Sequence, residues 1–118
     1  MDYLVDFLPL TPFAFQVLLT LADGERHGYG IIKEVEERSG ATVTLRTGTL
    51  YTLLARLKKE GLITEAGLPE GAEPGDDRRR YYELTPLGDE VLKAEARRLE
   101  ALVIHARRKH VLGVSSGA

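Results

Sequence analysis

Cysteine and tryptophan are both missing from the 118-residue chain, and methionine occurs once. Without cysteine there is no disulfide, no thiolate nucleophile and no thiolate metal ligand, a composition that fits a reducing compartment. The expected location is the cytoplasm. Aromatic residues make up 7% of the chain, so no aromatic stacking pocket for a ligand stands out. Long apolar runs are also missing: nothing approaches the roughly 20 residues that a membrane helix needs. Near the start, Asp2 and Asp6 stand in place of the positive region of a secretory signal, and Pro9 and Pro12 interrupt the apolar segment. Neither export nor membrane insertion is expected.

Histidine is scarce as well. Of His27, His105 and His110, the last two are five residues apart and do not share a helix face. There is no Gly-x-Ser-x-Gly elbow, phosphate loop or His-Glu-x-x-His pair. The carboxylates lie among lysines and arginines, where solvation explains them. No catalytic residue, metal site or cofactor is therefore expected, and the chain is not read as an enzyme.

What is present is helical punctuation. Thr11-Pro12 is a cap followed by proline at the first helical position, and the apolar run from Phe13 to Leu21 stops at Asp23-Gly24. Ile31, Ile32 and Val35 alternate with charges at helical period until Ser39-Gly40. Ala41 to Leu45 reads as a short strand or an extended connection. Thr47 is the expected cap of a third helix, with Leu50, Leu54 and Leu57 on one stripe and Gly61 as its left-handed end. Leu62 to Ala66 and Arg80 to Thr85 read as two strands, joined by a loop rich in Gly, Pro and charge from Gly67 to Arg79. Thr85-Pro86 repeats the cap-and-proline start, and helix is expected from Leu87 to about Val111.

Helix, helix, helix, hairpin, long helix is the order of a winged helix-turn-helix with a C-terminal extension. The expected fold is mainly α with a small β-hairpin wing, and the third helix occupies the recognition position. The expected layout is residues 1–85 as N-terminal segment and DNA-binding domain, 86–112 as dimerisation helix and 113–118 as flexible tail.

Winding the third helix puts Leu50, Leu54 and Leu57 inside and Gly48, Thr49, Thr52, Ala55, Arg56 and Lys59 outside. The outer face is small at its start and basic at its end, as a helix entering a major groove requires. Arg46 to Lys59 contains no carboxylate, although the chain carries a net charge of -2. Thr47, Thr49 and Thr52 offer hydroxyls to phosphate, and Tyr51 flanks this face with a phenol in reach of it. Arg78, Arg79 and Arg80 end the long loop, where a wing reaches the backbone or an adjacent minor groove, with Asp76 and Asp77 just before them.

In the last helix Leu92, Ala96, Leu99, Val103 and Ala106 follow a 4-3-4-3 spacing with Leu102 beside it, the seam of a coiled coil. A two-fold dimer would present two recognition helices roughly 34 Å apart to a roughly palindromic double-stranded operator. The apolar residues Tyr3, Leu4, Phe7 and Leu8 need burial too, and core packing is their expected fate.

Four fragments in register carry a resemblance: His27-Gly28-Tyr29-Gly30, Gly48-Thr49-Leu50-Tyr51, Glu60-Gly61-Leu62-Ile63 and the run from Arg80 to Gly88. Together they resemble the PadR family of transcription regulators over about residues 10 to 110. The resemblance implies a homodimer built partly by the last helix, a repressor role and, in some members, derepression by a small aromatic or drug-like compound. Thr52 stands where the family usually has proline, which alters the surface offered to DNA. The competing reading is a winged-helix module that binds another protein; the basic third helix and the arginines of the wing discriminate against it.

Overall fold

The computed structural model describes residues 3–40, 46–67 and 80–113. A 3-10 helix, Tyr3–Phe7, leads into α1 (Pro12–Thr20), β1 (Arg26–His27), α2 (Gly28–Arg38), α3 (Thr47–Lys59), β2 (Ile63–Ala66), β3 (Tyr81–Leu84) and α4 (Pro86–Arg108). It is the winged helix-turn-helix with a long C-terminal helix. The connection at Ala41 to Leu45, most of the Gly-rich loop and the end of the tail lie outside the described residues.

Local chemistry accounts for the element boundaries. The hydroxyl of Thr11 accepts from the N–H of Ala14 at 3.2 Å, with Pro12 at the first helical position. α3 closes through Gly61 at φ 81°: Leu62 N–H donates to the Leu57 carbonyl and Gly61 N–H to that of Lys58, both at 3.0 Å. α4 closes by the same geometry on His110, at φ 61°, with Val111 N–H donating to Ala106. This turn ends the helix at Arg108, short of Val111, although the apolar pattern runs on.

The sheet has three strands in the order β1-β3-β2, all antiparallel. Only the hairpin β2-β3 was legible in the sequence. β1 is two residues long and has no periodicity to read. It forms because Arg26 and His27 lie against Tyr82 and Tyr81 and pair with the free edge of β3.

One core joins the layers, built from Val17 and Leu18 of α1, Ile31 and Val35 of α2, the leucines of α3, Ile63, Tyr82, and Val91 and Leu92 of α4. Leu4, Phe7, Leu8, Leu10 and Phe15 pack on its margin, so the N-terminal segment covers its own domain. Leu92 is 5% exposed inside this core. Its place on the expected dimer seam is corrected accordingly: a side chain enclosed by its own domain has no surface to offer a partner.

Arg38 ties α2 to α1 by donating to the Gln16 side chain at 2.6 Å and to the Thr20 hydroxyl at 2.9 Å. A second polar tie reaches further. Glu95, 1% exposed on α4, accepts from the Leu10 backbone N–H at 2.8 Å and from two nitrogens of Arg98 at 2.5 and 3.0 Å. It fixes the N-terminal segment to a helix 85 residues away.

The Arg98 hydrogen bonds hold the Glu95 carboxyl below its ordinary value, against the opposing effect of burial. A depressed folded-state pKa contributes stability above the unfolded-state value of 4.5, and that stability is lost as pH falls through the folded value. Glu95→Gln should therefore lower the melting temperature at pH 7 by roughly 5 °C. Its deficit against the unaltered chain should shrink in thermal melts taken at successively lower pH below 4.5.

Candidate nucleic-acid interface

α3 presents two faces. Leu50, Leu53, Leu54 and Leu57 are buried, while Thr47, Gly48, Thr49, Tyr51, Thr52, Ala55, Arg56, Lys58 and Lys59 are exposed. The helix begins one residue earlier in its ladder than expected. Leu50 N–H donates to the Arg46 carbonyl at 2.9 Å, which makes Arg46 the cap and Thr47 the first helical residue. No side chain caps this end, so the Thr47 hydroxyl is not consumed there. Among the described residues, a Cβ built on Gly48 would meet nothing within 4 Å, so none of them requires glycine there, and its smallness is a property of the outer face.

At the other end of α3 the fold brings in carboxylates that the linear segment lacks. Arg56 Nε lies 3.5 Å from Glu60, one turn on. Lys58 Nζ lies 2.8 Å from Glu65 of β2, and Arg80, just before β3, lies 3.6 Å from the same side chain. Among the described residues, Arg46 and Lys59 have no ion pair. Arg78 and Arg79, with Asp76 and Asp77, lie outside the described residues.

Glu65 is the residue that sequence reasoning missed. Its signal was strand alternation: two residues from buried Ile63, it shares the face of the hairpin that meets α3, and its register partner is Tyr82. The hydrogen bond from Lys58 lowers its pKa first, followed by the charges of Lys58 and Arg80. Burial raises that of the Tyr82 phenol, with Glu65 and Tyr51 adding to the effect.

Tyr51 is 43% exposed, and its phenol lies beside Gly28 at the start of α2. A Cβ on Gly28 would come within 2.5 Å of the Tyr51 hydroxyl oxygen and 2.9 Å of Cζ. His27 caps α2, its Nδ1 accepting from the Gly30 N–H at 3.1 Å, and its ring meets that of Tyr81 edge-on at 5.3 Å. The motif from His27 to Gly30 thus seats the two helices of the helix-turn-helix against each other and against the sheet.

A family model described as the transcriptional regulator PadR-like family matches residues 17–94. A PadR family transcription regulator from Clostridium difficile R20291 has the same fold at a TM-score of 0.69, with 26% identity over 83% of this chain and 97% of that one. A transcriptional regulator from Clostridium thermocellum superposes at 0.65, with 27% identity, covering 81% and 87%. Bacillus subtilis PadR in complex with operator DNA superposes at 0.58, with 26% identity over 71% of this chain and 46% of that one. In sequence, a 37.1 kDa protein of transposon TN4556 from Streptomyces fradiae is 41% identical over 73% of this chain, which spans 22% of it. Protein X of Lysinibacillus sphaericus is 32% identical over 61% of this chain, which spans 63% of that relative.

The contact at Gly28 yields a stability test. Gly28→Ala should destabilise the domain by about 1–3 kcal/mol in chemical denaturation. In a Tyr51→Ser background the same substitution should cost less than about 1 kcal/mol, because the phenol it collides with is gone.

Proposed function

Because the chain belongs to the PadR-like family of transcriptional regulators, we propose that it is a sequence-specific repressor that binds a roughly palindromic double-stranded operator as a homodimer in the cytoplasm. The observation that carries this reading is the exposed face of α3, small and hydroxyl-bearing at its start and basic at its end, beside the hairpin. Thr47, Gly48, Thr49 and Thr52 allow close approach and donate to phosphate; Arg56 and Lys59 follow the groove. Arg78, Arg79 and Arg80 extend the contact along the wing, with Tyr51 supporting α3 from the side.

The dimer reading rests on the second half of α4. Beyond Glu95 the helix leaves its own core, with Ala96 exposed, Leu99 and Ala106 half-buried, and Leu102 and Val103 exposed at 53% and 42%. An apolar stripe of this kind is best covered by its counterpart on a second copy. Release by a small aromatic or drug-like effector belongs to the same reading through the family resemblance. No catalytic role is assigned to any residue.

The direct test is titration of a labelled duplex from the chain's own upstream region beside a random duplex, across salt, with the mass measured in the same buffer. Selective, salt-sensitive binding by a dimer is the expected result; equal binding to every fragment would favour a protein partner instead. Arg56→Ala should weaken operator binding by about 1–3 kcal/mol with little effect on random DNA. Arg79→Ala should weaken both alike and flatten the salt dependence. Leu99→Glu should convert the dimer to monomers in light scattering, and an unchanged dimer mass would remove α4 from the interface.

A further inference from the structure

Three elements of the interface meet at one carboxylate. Glu65 in β2 accepts from Lys58 Nζ of α3 at 2.8 Å, and its other oxygen lies 3.6 Å from Arg80 Nε, at the residue leading into β3. The side chains of Glu65, Lys58 and Arg80 are 40, 48 and 73% exposed. Pairs this open are weak and exchange readily with other partners. The backbone that carries the carboxylate is held in place, because β2 is in register with β3 along its whole length and Ile63 is anchored in the core. The two cations sit on long stems and are the groups able to move.

Resting on the DNA-binding reading above, we propose that Glu65 is an internal competitor for the DNA backbone: it neutralises Lys58 and Arg80 in the free protein and surrenders them only where a well-placed phosphate takes over. Non-specific binding scales with the number of phosphates a protein neutralises. A negative charge between two cations lowers that number wherever the cations keep it as their partner. On an operator, where α3 is seated by base contacts, phosphates approach at fixed positions and the exchange is favourable. On random DNA they do not, and the carboxylate keeps its partners. Glu65 is thus a specificity-determining residue that touches no base. Its carboxyl is held below its ordinary value by these same cations and stays charged at neutral pH.

A carboxylate that merely aligned Lys58 and Arg80 for DNA would have the opposite effect when removed, so the sign of the change decides. The experiment is anisotropy titration of the full chain carrying Glu65→Gln against a random duplex and the upstream duplex, across salt. Affinity for the random duplex should rise about 3- to 10-fold, and the slope of log K against log salt should steepen by about one. The gain on the selected duplex should be smaller, so discrimination falls. Glu83→Gln removes the same charge from an exposed position on β3 and should change random-duplex affinity by less than about 2-fold.

Glu65→Asp, which keeps the charge and shortens its reach, should give an intermediate gain and serves if the glutamine variant does not fold. In a chain already carrying Lys58→Gln and Arg80→Gln, the Glu65 substitution should have no further effect. Unchanged or weaker random binding by both Glu65 variants overturns the proposal, as does an equal gain from Glu83→Gln or a gain that persists without the two cations. If the unaltered chain binds no duplex at all, the DNA reading itself falls, and this proposal with it.

Discussion

Thr85 joins the interface half of the molecule to its scaffold through three hydrogen bonds. Its hydroxyl donates to the Gly61 carbonyl at 2.5 Å and accepts from the Gly88 N–H at 3.0 Å, while its own N–H donates to the Leu62 carbonyl at 3.1 Å. One residue thereby caps α4, satisfies the carbonyl at the turn that ends α3, and closes the base of the hairpin. α4 can approach so closely because residue 88 has no side chain; a Cβ there would collide with the carbonyl of Leu62. The joint thereby ties the end of α3, the start of α4 and the base of the hairpin to one another.

Around that joint the charge distribution is local, not global. A chain with a net charge of -2 cannot rely on its overall field to attract a polyanion. It concentrates cations at the end of α3 and just before β3, and places Glu60 and Glu65 among them. Three of these cations, Arg56, Lys58 and Arg80, each hold a weak partner that another group could displace. In the DNA-binding reading proposed above, such an arrangement trades affinity for discrimination among many non-specific sites.

α4 divides its length between two duties. Its first turns supply Val91, Leu92 and buried Glu95 to the core and hold the N-terminal segment down. Its remaining turns carry Leu102, Val103 and Ile104 into solvent. The pair of buried Glu95 with partly exposed Arg98 stands at the division between them.

The sequence by itself determined the features made by neighbours in the chain. Thr11-Pro12 and Thr85-Pro86 start helices, Gly61 ends one, the leucine stripe of α3 separates inside from outside, and alternation marks the hairpin strands, because each depends on contacts a few residues apart. The tertiary structure decided what depends on groups distant in sequence. It made a strand of Arg26 and His27 by offering them the edge of β3, drew Leu92 into the core, turned Tyr51 toward Gly28, and brought Glu65 to Lys58 and Arg80. No local pattern encodes those pairings. They arise when packing of the apolar stripes fixes which surfaces face each other, and only then do charges far apart in the chain come within range of one another.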